Sequence, residues 1–385
     1  MSGTRLLEPA AVDWAILASL VAALATGAVG LVTGRPGGAW VIDAHAVAGV
    51  VLAGLLVLKL RRVADWITPR RLNRTRAASV TLAVVAVGAV GTGIAWTFGA
   101  TLPVAFWTLL NVHILLGLAV AALAGWHLRA RLRSRQSLAR QANRRTAIRY
   151  LGLVVGGALI WRIQQTVAVA RRFTGSREEG SDDGNRFPVT SWVANDPDPL
   201  DVDGWTLQVG GRTDRTLELA LSDLDAGAAP GGAAADDGAS NAGAGNDAGD
   251  TSRGGDVETG GADGPHAALR ATLDCTSGWY SVHDWGGVRV GDLLDAAGVG
   301  EDAAWVQFRS VTGYRWSLPL AEARDAVLAT RVDGAPLAHG HGRPVRLVAP
   351  GRRGFQWVKW VDRVVVTRRR DRSEWVAIFV SGIEE

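Results

Sequence analysis

One cysteine occurs in the whole chain, Cys275, and it stands in a run dense with reactive and conformationally special residues: Leu273-Asp-Cys-Thr-Ser-Gly-Trp-Tyr-Ser-Val-His-Asp-Trp-Gly-Gly-Val288. Without a second cysteine there is no intrachain disulfide, so the thiol is a buried small hydrophobe, a metal ligand or a nucleophile. Gly278, Gly286 and Gly287 would let the backbone come close to a ligand. Tyr280 and His283 offer a phenol and an imidazole for proton transfer, with Asp284 beside them. Trp279, Tyr280 and Trp285 are expected to form an aromatic mouth. A second chemical set lies far upstream, where His45, His113 and His127 fall in or at the end of apolar runs. Ionisable residues inside a membrane are rare and usually functional. His45 follows Trp40 by five residues and His113 follows Trp107 by six, which is roughly 8–9 Å along a helix. Two imidazoles at one depth on neighbouring helices suit axial ligation of one b-type haem. His127 lies fourteen residues beyond His113, but the corresponding position after His45 is Lys59, so a second haem has no ligand pair.

The elements that would position these groups divide the chain in two. Residues 1–174 hold 20 Lys+Arg against 4 Asp+Glu, a net of +16; the remainder holds 21 against 33, a net of −12. Four apolar runs reach the length of a bilayer, Trp14–Thr33, Ala39–Leu58, Ser79–Phe98 and Pro103–Trp126, and a weaker fifth covers Tyr150–Ala170. The basic excess flanks these runs, which reads as membrane topology and not as nucleic-acid binding. Residues 59–76 and 129–149 concentrate the arginines and are expected on the cytoplasmic side. With five crossings, residues 175–385 are then expected outside the cell, on a multi-pass protein of the cell membrane.

Residues 175–186 read as a polar tether, and folded sequence is expected from Phe187 to about 370, followed by a C-terminal segment, 371–385. Within that range, residues 226–265 are almost wholly Gly, Ala, Asp, Ser and Asn, with seven acids and one arginine. Such a stretch has too little apolar surface to offset its ordering entropy and is expected to be a disordered insert. Short β-like runs at Trp205–Val209, Leu269–Leu273, Trp305–Arg309, Arg346–Val348 and Arg363–Thr367 alternate with helix-like Val290–Ala297 and Leu320–Leu328, with Gly210-Gly211 as a turn. The pattern predicts a β-rich α+β domain.

The run LDCTSGWYSVHDWGGVRVGDLLDAAG resembles the molybdenum-binding segment of the sulfite oxidase family, which includes extracytoplasmic methionine-sulfoxide reductase subunits. GAPLAHGHGRPVRLVAPGRRGFQWVKWVDRVVV resembles that family's pterin-binding segment, and WTLQVGGRTDRTLELALSDL its opening strands. The three occur in the family's order across most of 187–368. The resemblance implies a molybdenum–molybdopterin cofactor whose protein thiolate ligand is Cys275, a soft donor suited to a redox metal. It also implies that Arg346 and Lys359, in the run Trp357-Val358-Lys359, anchor the pterin and its phosphate, with His341 and Ser310 as further contacts. Lys359 is one of only two lysines, the other being Lys59. His339, Arg343, Arg352 and Arg353 read as solvated surface.

The expected function is oxygen-atom transfer on a small substrate, with electrons exchanged through the membrane haem with the quinone pool or another membrane carrier. Sulfite oxidases follow their cysteine with an Asn-Arg-Arg pattern that holds the anion; here Thr276-Ser277-Gly278-Trp279 follows instead, which favours reduction of an S- or N-oxide. A sulfur-compound oxidase, and a non-catalytic cofactor-binding module on a purely structural anchor, remain alternatives.

Overall fold

A computed structural model of the protein describes residues 9–64, 74–101, 107–132, 144–168, 170–191, 195–225 and 267–383. The expected insert, 226–265, and parts of both arginine-rich connections lie outside the described residues. The chain divides into two compact units, residues 1–177 with 276–278, and the remainder.

The first unit contains five helices: α1 (Pro9–Val32), α2 (Ala39–Val63), α3 (Arg74–Thr97), α4 (Leu109–Leu132) and α5 (Arg144–Val167). The first four are long and apolar enough to cross a membrane. α1 packs with α2 and α3 with α4. Val12, Ala15 and Leu55 make one buried cluster, and Leu52, Leu56, Ala86 and Val120 another. Large apolar side chains such as Val84 and Leu118 face outward, as lipid contact requires. α5 was expected as a fifth crossing, but its composition does not reach that of the other four. The reason is its two-sided character. Leu151, Leu159, Ile163 and Val167 are exposed, while Trp161 Nε1 donates to Asp43 Oδ1 at 2.9 Å and Tyr150 donates to the Ala11 carbonyl at 2.8 Å. Polar residues that bind α5 to α1 and α2 lower its mean hydropathy.

The second unit is built on two sheets. One has strands β1 (Arg177–Glu178), β5 (Trp279–Arg289), β8 (Val327–Val332) and β10 (Arg346–Val348) in that order, with β4 (Ala267–Asp274) also on β5 and β9 (Ala335–Pro336) on β8. The other has the order β3 (Leu217–Ala220), β2 (Thr206–Gly211), β11 (Val361–Thr367), β6 (Trp305–Ser310) and β7 (Arg315–Pro319). Only the β2–β11 pair of this sheet is parallel. Short helices α6 (Leu221–Asp225), α7 (Val290–Ala297) and α8 (Leu320–Arg324) connect strands, and α9 (Glu374–Val380) ends the described chain. In α7, Val290, Leu293, Leu294 and Ala297 are all fully buried. That spacing is one helical face, and each large side chain adds about 2 kcal/mol by burial.

Several expectations shift. Gly210-Gly211 are not a turn: they pair with Val365 and Val366 of β11, and at Gly211 (φ +101) a Cβ would stand 2.5 Å from the Val366 carbonyl oxygen. The expected helix Leu320–Leu328 stops at Arg324, because Val327–Ala329 pair with both β5 and β10. Between-strand pairing overrides helix propensity there. In place of a free tether, Glu179 N and Asp182 N donate to the Tyr280 and Val282 carbonyls. Nor are Gly286 and Gly287 a ligand approach. The register between β5 and β8 shifts there, and a Cβ at Gly287 would lie 2.0 Å from the Leu328 carbonyl oxygen.

Gly287→Ala should therefore destabilise the protein by about 3 kcal/mol, as overpacking against backbone does. Gly286→Ala would meet only the Arg331 Cβ at 3.4 Å and should cost under about 1 kcal/mol. Thermal melting of the two variants side by side checks this; equal melting temperatures would refute the packing account.

Candidate functional site

Cys275 directly follows β4 and is buried. Its backbone N–H donates to the Trp279 carbonyl at 2.8 Å, closing a turn in which Gly278 takes φ +95. The preceding carboxylate, Asp274, is buried against Arg353, with Arg353 Nη1 donating to Asp274 Oδ1 at 2.9 Å. Arg353 Nη2 also donates to the Cys275 carbonyl at 3.1 Å. One guanidinium thus holds the strand end from two sides. Gly354 lets this loop close in, since a Cβ there would approach the Cys275 Cα at 3.1 Å. Arg353 was read as solvated surface; it is buried, and the clamp it makes was missed. The available signal was Asp274, an acid in a strand of apolar alternation that needed a counter-charge.

Two further cations have no such partner. Arg346, from β10, is only 4% exposed. It donates from Nη1 to the His341 carbonyl at 3.0 Å and lies over the Trp285 ring at 5.1 Å. No carboxylate pairs with it among the described residues, and its Nε is buried without an acceptor. Lys359 is part-buried and donates to Ser191 Oγ at 3.0 Å and the Gly340 carbonyl at 2.8 Å. Burial lowers Arg346 to about 9 and Lys359 to about 7, with repulsion from Arg346 adding to the second shift; the charge of Cys275 draws Arg346 back up, and those of Asp196 and then Cys275 draw Lys359. His341 is buried with its ring 3.8 Å from that of Phe187. Its Nε2 lies 2.9 Å from the Phe187 carbonyl, so that nitrogen carries the proton, and burial holds the ring neutral by lowering its pKa to about 4. Nδ1 is then an acceptor, buried with no donor among the described residues. Two cations seeking anions and one acceptor seeking an N–H fit a phosphate-bearing pterin.

The remaining expected residues fall elsewhere. Along β5, Trp279, Ser281, His283 and Trp285 are buried, whereas Tyr280, Val282 and Asp284 lie on the other face, as a period of two requires. Tyr280 therefore does not share a mouth with Trp279 and Trp285; its hydroxyl reaches Glu178 Oε2 at 3.3 Å. His283 is fully buried, with Nδ1 2.7 Å from Asp333 Oδ2 and Nε2 on Ser281 Oγ. Both ring nitrogens are committed within the core. Trp285 is fully buried under Arg346, which makes it a floor and not a rim. Ser310 is buried on Thr312 Oγ1 at 3.0 Å. Trp357 and Val358 are buried; Trp357 Nε1 donates to the Arg352 carbonyl, and the Val358 carbonyl accepts from Leu347 N. Arg352 pairs with Glu322, and His339 stacks near Trp360 with Nε2 2.7 Å from the Pro197 carbonyl, so neither is free surface.

In the helical unit, His45 on α2 and His113 on α4 come together with ring centroids 5.9 Å apart and planes at 85°. Each sits against the preceding helix in the same way. His45 Nδ1 lies 2.9 Å from the Ala23 carbonyl, and His113 Nδ1 lies 2.8 Å from the Ala89 carbonyl. A Cβ at Gly27 or Gly93 would press on the respective Cε1 at 3.1 or 2.9 Å. A carbonyl can only accept, so Nδ1 carries the proton in both rings and Nε2 keeps its lone pair. His127 lies on α4, part-exposed.

Residues 194–375 match the family model of the oxidoreductase molybdopterin-binding domain. Mitochondrial sulfite oxidase of Rattus norvegicus is 38% identical over 115 residues, 27% of this chain and 21% of that protein. The uncharacterized oxidoreductase YuiH of Bacillus subtilis (strain 168) is 31% identical over 114 residues, 29% of this chain and 58% of that one. Nitrate reductase [NAD(P)H] of Hordeum vulgare is 38% identical over 110 residues, 25% and 12% of the two chains. The chain thus spans about a fifth of the length of the sulfite oxidases it matches. Among solved structures, the sulfane dehydrogenase SoxCD from Paracoccus pantotrophus is similar at 21% identity, covering 46% of this chain and 41% of that one, with a TM-score of 0.34. Residues 194–375 of this chain are an oxidoreductase molybdopterin-binding domain, and its matched relatives, sulfite oxidase and nitrate reductase, are molybdenum enzymes.

Proposed function

We propose that the chain is a membrane-anchored molybdopterin oxidoreductase that transfers an oxygen atom to or from a small substrate outside the cell, with S- or N-oxide reduction favoured. The observation that carries this reading is the pair of inward cations, Arg346 and Lys359, that share the charge field of the single cysteine and bond to no carboxylate among the described residues, Asp196 acting on Lys359 only through its field. Molybdenum, when bound, supplies two-electron oxygen-atom chemistry, and the residues around it supply position and charge. Cys275 Sγ is the thiolate donor, and the Asp274–Arg353 clamp fixes the backbone that presents it. Arg346 and Lys359 hold the anionic end of the cofactor, and His341 Nδ1 accepts from the pterin. With Tyr280 and His283 engaged elsewhere, the preference for a neutral oxide rests on Thr276-Ser277-Gly278, which brings no arginine next to the cysteine. Oxidation of a sulfur compound is the second reading, favoured by the sulfite oxidases among the relatives.

Electrons are proposed to pass between this site and the quinone pool through a b-type haem held by His45 and His113. Their support is paired geometry: both Nδ1 atoms are fixed by carbonyls, which is how metal-binding imidazoles are usually oriented. A bound haem would supply one-electron transfer.

Four measurements test these assignments. Cys275→Ser should fold with a wild-type melting curve but lose at least about 100-fold in turnover and change its molybdenum spectrum, because a hydroxyl is a poor donor beside a thiolate. Assay of the wild type with a small sulfoxide and, separately, with sulfite decides direction; sulfite oxidation without sulfoxide reduction would reverse the preference.

Lys359 titrates near 7 in the folded protein and near 10.5 when unfolded. Between those values the unfolded chain binds more protons, so the stability of cofactor-free protein should rise with pH from about 7 towards 10.5. Melting temperature against pH should show that rise, and Lys359→Met should flatten it. An unchanged slope in the variant would remove the lysine from the account.

The purified chain should give a low-spin b-type spectrum that disappears in His45→Ala and in His113→Ala and persists in His127→Ala. Colourless wild-type protein from haem-replete cells would rule the haem out.

A further inference from the structure

Asp333 and Gly334 form the two-residue loop between β8 and β9, where Val332 pairs with Ala335. Both take positive φ, +48 and +79, as a tight turn between twisted strands requires, and asparagine or aspartate serves that backbone equally well. The turn therefore does not explain what the side chain does. The carboxylate points inward, only 16% exposed, and gathers three donors from outside the turn. Oδ1 accepts from Asp284 N at 2.8 Å. Oδ2 accepts from Gly184 N at 2.9 Å and from His283 Nδ1 at 2.7 Å.

Both donors on Oδ2 lead to Phe187. Gly184 opens the short 3-10 turn Gly184–Arg186, which carries the chain directly into Phe187. Asn185 ties the same turn to the approach to His341, donating to the Pro336 carbonyl at 2.9 Å and accepting from Ala338 N at 2.7 Å. The His283 ring, fixed between Asp333 and Ser281, packs on the Phe187 ring with centroids 4.6 Å apart. Phe187 in turn meets His341 twice, through its ring at 3.8 Å and its carbonyl at 2.9 Å from Nε2. The hydrogen bond at one imidazole nitrogen decides which nitrogen carries the proton. A carbonyl only accepts, so the proton sits on Nε2, and Nδ1 is left as an acceptor with no donor among the described residues. One carboxylate oxygen thus supports both the backbone and the ring of the residue that sets the tilt and tautomer of His341. His283 and His341 are both buried, so water does not replace these contacts.

We infer that Asp333 is a positioning residue of the molybdopterin site: through Gly184, His283 and Phe187 it holds His341 with Nδ1 open to accept from the pterin. The inference rests on the reading of His341 as a cofactor contact and adds the residue that aims it. Asp333→Asn isolates the role. Asparagine keeps the turn but brings one acceptor oxygen to three donors placed around two, so at least one support is lost while Asn185 still holds the strand of chain in place. Two measurements on the full-length protein test it. In 15N-histidine spectra, with the His341 signals assigned by their loss in His341→Ala, the wild type should show the Nε2–H form alone and Asp333→Asn a mixture of both tautomers. In the second, molybdenum retained by the holoenzyme is followed over time after transfer to cofactor-free buffer. Asp333→Asn should release it roughly tenfold faster, as loss of one hydrogen bond to a charged group implies. His341→Ala should release it at least as fast, and the double variant no more than about twofold faster than His341→Ala. Asp284→Asn, at the exposed carboxylate next along β5, should match the wild type in both. A single tautomer in Asp333→Asn would overturn the positioning role. So would a double variant whose release is faster by the product of the two single effects, because a carboxylate that merely stabilises the fold acts independently of His341. Wild-type release from His341→Ala would instead remove His341 from the cofactor site, and the role of Asp333 there with it, while leaving the assignment of Cys275 untouched.

Discussion

Uncompensated positive charge around Cys275 is the constraint on which the second unit is organised. Withdrawing an ion from water costs several kcal/mol even after the protein relaxes around it, to an extent of about that size for each buried cation. Evolution of a merely stable fold would pair Arg346 with an acid or replace it with an apolar side chain. Here the guanidinium is held between a carbonyl and the faces of Trp285 and Trp357, contacts that position it without neutralising it. The lowered pKa values of Arg346 and Lys359 express the same cost in protons. An anion placed between them recovers that cost, so ligand affinity is drawn from strain the fold already carries.

The Arg353–Asp274 pair shows what a compensated cation looks like a few residues away. Both partners are buried, the bond is 2.9 Å, and the guanidinium has a second acceptor in the Cys275 carbonyl. Its role is to fix backbone, not to attract a ligand. Three buried or part-buried cations thus divide by their partners: one is neutralised and holds the Cys275 carbonyl, while two bond to no carboxylate among the described residues. Burial alone does not separate these roles; the presence or absence of a carboxylate does.

That distinction also explains what was legible in the sequence. The α7 helix is recognisable because its apolar period of three and four is local, and Cys275, Arg346 and Lys359 stand in contiguous motifs. The strand order is not local, which is why Val327 and Leu328 looked helical until β5 and β10 are seen on either side of them. Arg353 looked like one of several surface arginines because its partner lies 79 residues away. His283 looked reactive because sequence shows a residue's chemistry and not its satisfaction; Asp333 and Ser281 already occupy both of its nitrogens. Tyr280 was misplaced for a simpler reason, since strand alternation sends neighbours to opposite faces.

The helical unit follows the opposite economy of charge. Asp13 is met by Lys59 at 2.8 Å and Arg62 at 3.1 Å, and Asp43 by Trp161 and Gln165. Its two central imidazoles are satisfied at Nδ1, while Nε2 has no hydrogen bond among the described residues. Thr26 and Thr92 stand 3.4 Å from the corresponding Nδ1 atoms, so each hairpin repeats a threonine, a glycine and a carbonyl around one ring. Packing alone needs a small residue beside an imidazole, which Gly27 and Gly93 provide. It does not need both Nδ1 atoms held by carbonyls so that both Nε2 atoms keep a lone pair. In either unit, then, the residues to watch are those whose polar atoms the fold orients but does not use.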